Sequence, residues 1–585
     1  MSKFAEFCDD YFKKYFQLHP TEAIYYGIEG YDHLLNDYSN ESYRTEKYFV
    51  DESLHTLRQI PTSDLDQDEA IDHALLEGKL TIQSYEHAKE DYRIKWPETY
   101  SPIDAIYILT MRETNNFPAN LLSRLERTPA LIQQGIANLS RKEANPPKLW
   151  TEMAVDGTKG SVSFLDNLPN HPKVLAEVKN AGALRAAVMK AKSAMNDFAT
   201  YLESDLLPRS QGVYAVGAKH YNLLLMKKHF LAHDDQSLLA LGEALFEKTK
   251  KELAELAEEL APGKDIEEVA RRIQEHHPAI DEVLAVYRKA MEAARDFVRE
   301  KKLVSFPPKE ELHVVYTPEF RRHEIPFAAY LSPSPKDPNQ VGYYYVTPVS
   351  DDDLLREHNW VGLENTSVHE SYPGHHLQFA VANSIPAAST LPRLMNESSV
   401  FYEGWALYCE QLMQEQGFLK SKEHRFVMLK DRLWRALRII IDVKTQTGEM
   451  TYDQAADLMV RELHFPRAQA RGDLNWYSQS PSGPMGYALG WSIINRLREQ
   501  EQKSAQDRIE QDARNHPVVK KALALFGGEI KAVKPAVILS QPVAETAEPV
   551  FGRHFVPIKV MLDWGSSALC VKSQCEANSG RIIVR

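Results

Sequence analysis

A chain of 585 residues, 43% of them hydrophobic and 26% charged, can bury a large core and has an ordinary globular composition, which excludes disordered and fibrous architectures. That length allows two to four folding units of about 150 residues each, or one large helical body in two lobes. The formal net charge of -13 argues against nucleic acid as a partner, because phosphate binding draws on a cationic surface.

The opening segment, Met-Ser-Lys-Phe-Ala-Glu-Phe-Cys-Asp-Asp, has no basic region followed by an apolar stretch, and no later segment keeps about 18 apolar residues together. The expectation is a chain that is neither exported nor membrane-spanning. Cys8, Cys409, Cys570 and Cys575 are scattered without Cys-x-x-Cys spacing, which points away from a disulfide framework or a thiolate zinc site. A reducing cytoplasm is the expected location.

From Met1 to about Pro208 the sequence reads as helices joined by polar or proline-bearing turns, as in the apolar recurrence through Ile106, Leu109 and Met111 and the run Ala181 to Leu206. Residues 1–212 are assigned to a helical N-terminal lobe. Asp235 to Leu260 carries Leu238, Leu239, Leu241, Leu245, Leu253 and Leu256 among many charges, the pattern of a helix with one buried face.

Between His313 and Pro348 short β-type runs appear, at Val314 to Tyr316, Ala328 to Tyr330 and Gly342 to Thr347, cut by prolines. They predict a small sheet (about 313–348), which either caps the fold or offers a strand edge to an extended peptide. Helical pattern returns through Leu391 to Met413, Glu423 to Val443, Tyr452 to Leu463 and Tyr487 to Arg498. Residues 213–532 form the expected catalytic lobe, and the fold class is mainly α. Residues 533–585, rich in Val, Ala and Pro at first, form a tail with no assigned role, either a strand-bearing appendage or a loose chain end.

The chemistry concentrates at His-Glu-Ser-Tyr-Pro-Gly-His-His, His369 to His376. Zinc takes a few nitrogen or oxygen ligands, and helices supply them as His-Glu-x-x-His, with two histidines one turn apart and a glutamate beside the first to receive a proton from water. His369 and Glu370 provide the first half, but Pro373 stands where the second histidine belongs. On a straight helix His375 would point about 120° away from His369, and His376 would sit roughly 10 Å further along the axis. Pro373 lacks the amide that would bond back toward His369, and Gly374 tolerates unusual torsions, so the sequence predicts a bulge or break that returns a later histidine to the metal. His375 is the preferred second ligand, with His376 the alternative.

A third ligand is expected on a following helix. Glu403 sits among Tyr402, Trp405, Leu407 and Tyr408, where a carboxylate is costly to bury without a cation or hydrogen bonds. Glu410 or Glu397 is expected to orient a histidine through its other ring nitrogen.

At these residues the chain resembles a large family of bacterial helical proteins known as domain of unknown function 885, marked by His-Glu-x-x-Pro-Gly-His-His followed by Glu-Gly-Trp-Ala-x-Tyr. Both blocks are intact, at His369 to His376 and Glu403 to Tyr408. Further similar text lies at Ala328 to Tyr330, Trp434 to Arg438 and Ser480 to Tyr487, and the resemblance runs to about Arg498. It implies a metallopeptidase with two helical lobes around a groove and a glutamate as third zinc ligand. Many relatives carry a histidine where this chain has Gln446, and the segment after about Val533 departs from the family's usual ending.

The expected activity is zinc-dependent hydrolysis of peptides, of carboxypeptidase or dipeptidase type, with Zn2+ held by His369, His375 and Glu403 and with Glu370 as general base. Tyr487, and after it Tyr477, are the candidates to stabilise the oxyanion. Arg435 and Arg438, three apart on one predicted helix, are candidates to grip a substrate carboxylate, although internal ion pairs are the commoner use. Tyr330 and Tyr345 are expected at the substrate groove. Peptide is the expected partner, with a homodimer as a further expectation and neither nucleic acid nor membrane. The rival readings are a metal-dependent amidase on a small non-peptide amide and an inactive, peptidase-derived binding protein. No Gly-x-Ser-x-Gly elbow or phosphate-binding Gly-x-x-x-x-Gly-Lys loop is evident.

Overall fold

Many helices start where the sequence supplies a side-chain cap. Asp66, Asp234, Ser421 and Thr451 each accept the backbone N–H three residues on, closing reciprocal capping boxes at the starts of Gln67–Lys89, Asp235–Leu260, Lys422–Thr447 and Tyr452–Leu463. The structure, a computed structural model, describes residues 2–515 and 520 apart from 323, 324, 326, 350–354 and 397, and four strands beyond residue 528. Glu397, a candidate orienting carboxylate, lies outside the described residues. Contacts divide the chain into Met1–Ser492 and Ile493–Arg585.

In the first unit the fold is mainly α with one small sheet, as the sequence predicts. The helices Ile103–Met111, Phe117–Leu139, Lys148–Asn167 and Ala181–Tyr201 enclose an apolar core that includes Ile106, Leu109, Leu121, Leu125, Met195 and Phe198. A second core gathers Val298, Val346, Val368, Leu377 and Met413, and so draws on the helices that carry the histidine motif. The sheet joins the two. Strand β1 (Glu311–Tyr316) pairs parallel with β3 (Val341–Val346), and β2 (Ala328–Leu331) pairs antiparallel on the other side of β3. Because strand side chains alternate, Tyr343 and Tyr345 pack on the first core while Tyr344 and Val346 pack on the second. The tyrosine run is therefore a two-faced central strand.

The helix expected over Leu391 to Met413 is two, Leu391–Leu394 and Ser399–Glu415, while Asp235–Leu260 and Tyr452–Leu463 match the predicted bounds. Sequence periodicity did not single out Arg467–Gln479, a polar helix that buries only one face through Ala470, Asp473, Leu474 and Tyr477. In the second unit, Glu529–Pro535, Phe555–Asp563, Ala568–Glu576 and Ile582–Val584 form a four-stranded antiparallel sheet, so the tail bears strands. Among the described residues no helix is long and apolar enough to cross a membrane.

Candidate metal centre

The His369 helix (Trp360–Glu370) ends one residue after His369, and a new helix (His375–Ser384) begins five residues after Glu370. Pro373 has no N–H to extend the first helix. Gly374 donates instead to the carbonyl of Val368 at 3.2 Å, and Trp405 Nε1 donates to the carbonyl of Pro373 at 3.0 Å. A Cβ on residue 374 would lie 1.9 Å from the carbonyl oxygen of His369, so only glycine fits this turn. The chain breaks where the sequence predicts it.

The break turns His375 back toward His369, with their ring centres 4.9 Å apart and the rings perpendicular. The Glu403 helix (Ser399–Glu415) brings its carboxylate to both: Glu403 Oε2 is 3.4 Å from His369 Nε2 and 3.3 Å from His375 Nε2. One donor atom from each of the three residues falls within 4.8 Å of the others, and all three side chains are nearly buried. His376 does not join them. Its Nδ1 meets the Tyr330 hydroxyl at 3.0 Å and its Nε2 meets Glu310 Oε2 at 3.0 Å, while Gly342 leaves room for its ring against the sheet. His376 is thus a packed histidine with both nitrogens engaged, and the alternative ligand assignment is set aside.

These donors fit a zinc ion. Two ligands about 2.05 Å from a tetrahedral ion lie about 3.3 Å apart, close to the separations between Glu403 and the two imidazoles. Glu403 Oε2 is buried yet lacks hydrogen-bond geometry to any partner among the described residues. Glu410, two turns beyond Glu403, accepts from His369 Nδ1 at 2.8 Å, which directs Nε2 toward the cluster. Asn365 Nδ2 in turn donates to Glu410 Oε2 at 2.9 Å and to Asp431 Oδ2 at 3.3 Å.

The electrostatics favour a cation at this point. Burial opposes charge on His369, but the neighbouring carboxylates of Glu403 and Glu410 outweigh it and raise the imidazole pKa to about 10. Burial likewise opposes charge on Glu403, yet His375 and His369 hold the carboxyl well below its usual range. Glu370, on the wall of a cavity that His369 also borders, has its pKa raised by burial, against the pull of His369 and His375.

The cavity has a volume of about 440 Å³ and is bordered by His369, Glu370, Tyr487, Arg435 and Arg438. Tyr487 lies nearly parallel to His369, ring centres 6.2 Å apart. Its helix (Gly486–Asn515) can approach the Glu403 helix because Gly404 and Gly490 meet: a Cβ on Gly490 would lie 1.9 Å from the Val400 carbonyl oxygen. Tyr330 and Tyr345 also line the cavity, with their hydroxyls on His376 Nδ1 and on the Tyr107 hydroxyl.

Tyr477 is placed differently. Its hydroxyl accepts from Arg438 Nε at 2.7 Å and from Trp434 Nε1 at 3.2 Å, so it holds the arginine rather than facing the histidines. Gln446 is remote in the same sense: it donates from Nε2 to the Tyr477 carbonyl at 3.0 Å, and its own carbonyl accepts from Gly217 at 2.8 Å. It braces a loop and does not border the cavity.

A family model described as "Bacterial protein of unknown function (DUF885)" matches residues 20–518. The chain belongs to the DUF885 family. The match takes in every residue of the candidate metal centre and reaches somewhat beyond Arg498, where the sequence resemblance fades. Two solved structures share the fold. A candidate lipoprotein of unknown function from Shewanella oneidensis is 23% identical with a TM-score of 0.68, covering 86% of this chain and 94% of its own. Another candidate lipoprotein, from Colwellia psychrerythraea, is 16% identical with a TM-score of 0.71, covering 90% of this chain and 96% of its own. At these identities the likeness is one of fold alone. No curated protein matches this DUF885 chain.

Proposed function

We propose that the protein is a zinc-dependent peptidase acting on short peptides. The observation that carries the reading is the convergence of donor atoms of His369, His375 and Glu403 within 4.8 Å of one another, with Glu403 Oε2 at 3.4 and 3.3 Å from the two imidazoles, beside Glu370 on one cavity wall. Those three residues would hold the ion. When bound, zinc supplies a Lewis acid for the scissile carbonyl and acidifies the attacking water.

The chain's own groups do the rest. Glu370 takes the proton of the attacking water and delivers it to the departing amine, so no covalent enzyme intermediate is needed. Tyr487 donates its hydroxyl proton toward the oxygen on which negative charge develops; burial and the nearby Glu403 charge keep that hydroxyl protonated. Glu410 fixes the tautomer of His369. A cavity of about 440 Å³ matches small ligands and suits a few residues of substrate.

Elemental analysis of the purified protein and a peptide-library digest with and without chelator test the reading. About one zinc per chain and chelator-sensitive cleavage are expected. Glu370→Gln should keep the zinc and lose hydrolysis; full activity in that variant would refute the assignment.

A further inference from the structure

Two arginines border the cavity with donors that the protein does not use. Arg435 and Arg438 lie on the helix Lys422–Thr447, one turn apart. Arg435 Nε and Nη1 are buried and make no hydrogen bond among the described residues. Arg435 Nη1 stands 3.4 Å from Asp431 Oδ1, and Asp431 is already engaged with Asn365. Arg438 uses Nε on the Tyr477 hydroxyl at 2.7 Å, while its Nη1 is buried and unpartnered.

Aromatic rings fix both guanidinium groups. The Arg435 carbon stands 4.1 Å from the Trp434 ring centre, and the Arg438 carbon stands 4.2 Å from Trp434 and 4.5 Å from Tyr487. Rings hold a cation in place without using its in-plane N–H groups, so the donors stay available for an anion. A buried arginine with unmet donors is costly unless something fills them, and the planar fork matches a carboxylate best.

We propose that Arg435, with Arg438 behind it, binds the C-terminal carboxylate of the substrate, so that the enzyme removes residues from the free C-terminus of short peptides. This rests on the peptidase reading above and adds the substrate class. Tyr487 links the arginines to the metal centre, since its ring lies against His369 on one side and Arg438 on the other. The two separations put the Arg438 guanidinium within about 11 Å of the His369 ring, the reach of about three extended residues. A carboxylate held there leaves only the last one to three residues between anchor and scissile bond.

The zinc-loaded protein is given one tripeptide in three forms: free acid, C-terminal amide, and an amide whose last residue is glutamate. The first form carries the C-terminal carboxylate, the second has none, and the third carries a carboxylate on a side chain. The free acid should be cleaved at least about tenfold better than either amide in kcat/KM, mainly through KM. Calorimetric binding to Glu370→Gln protein should show the same order without turnover. Arg435→Gln should erase the preference by lowering cleavage of the free acid toward that of the amide, and Arg435→Lys should restore only part of it.

Equal cleavage and equal binding of acid and plain amide would overturn the carboxylate anchor and leave the peptidase reading intact. A glutamate amide as good as the free acid would overturn the C-terminal assignment. Cleavage of none of the three, or of any peptide in the library, would instead remove the peptidase reading on which this rests. The acid–amide comparison on unsubstituted protein decides the matter even if the arginine variants do not fold.

Discussion

His369 and Glu410 are joined by a 2.8 Å hydrogen bond from Nδ1 to a carboxylate oxygen that is nearly inaccessible to solvent. The bond selects the tautomer in which Nε2 carries the lone pair, and Nε2 is the atom turned toward Glu403. Glu410→Gln keeps the size but removes the charge, and its amide can present a donor where the histidine needs an acceptor. The expected result is a loss of about 10- to 100-fold in zinc affinity. Competition with a chromogenic chelator measures it, and unchanged affinity would mean the bond does not orient the ligand.

The turn at Gly374 gives a second prediction. Gly374→Ala forces a methyl into the carbonyl of His369, which already lies against the break. Backbone atoms cannot yield as a flexible side chain can, so a loss of about 1–3 kcal/mol in stability is expected. Because the displaced segment carries His375, the same variant should also release zinc more readily. Chemical denaturation with and without added zinc separates the effects, and a variant as stable as the parent with the same zinc affinity contradicts both.

How much of this centre could be read from the sequence depends on how local the cause is. The break follows from Pro373 and Gly374 themselves, and the Glu403 helix from its own apolar pattern, so these were legible. The choice between His375 and His376 was legible only as a preference for His375, because it depends on the direction in which the chain leaves the break. Glu310 settles it by accepting from His376, from a position no spacing rule connects to the motif. Asn365 and Asp431 were missed for the same reason: what identifies them is a contact with Glu410 or with each other, made only when separate helices pack. Tyr477 and Tyr487 each stand near a helix end, and only the packing puts the hydroxyl of one on Arg438 and the ring of the other against His369.

Asp442 supplies a pH prediction. It is fully buried, accepts from the Tyr221 hydroxyl at 2.8 Å and from the Ser482 amide at 3.3 Å, and burial raises its pKa to about 7 despite those bonds. Between about pH 4 and 7 the folded chain keeps a proton that the unfolded chain releases, so this group's contribution to stability falls as pH rises through that window. His229 and His358 act oppositely, since burial lowers both to about 3 and 4, and their contributions rise with pH up to about 6.5. The difference between wild type and Asp442→Asn isolates the aspartate. Thermal midpoints should diverge from pH 5 to pH 8 in favour of the variant, and parallel curves would show that Asp442 is ionised throughout.

Tyr487→Phe tests the hydroxyl of the tyrosine that lies against His369 without disturbing its ring. The ring keeps its place against His369 and under Arg438, so the fold and the zinc content should be preserved. What disappears is one O–H donor at the cavity wall, and loss of a donor that acts only on developing charge lowers kcat while sparing KM. A fall of about 100-fold in kcat is expected, with KM changed little. If KM rises and kcat holds, the hydroxyl contacts the bound peptide rather than the oxyanion. If neither moves, the tyrosine serves packing alone, and the donor must be sought elsewhere on the wall, with Tyr330 next because its hydroxyl lies on His376 beside the second ligand.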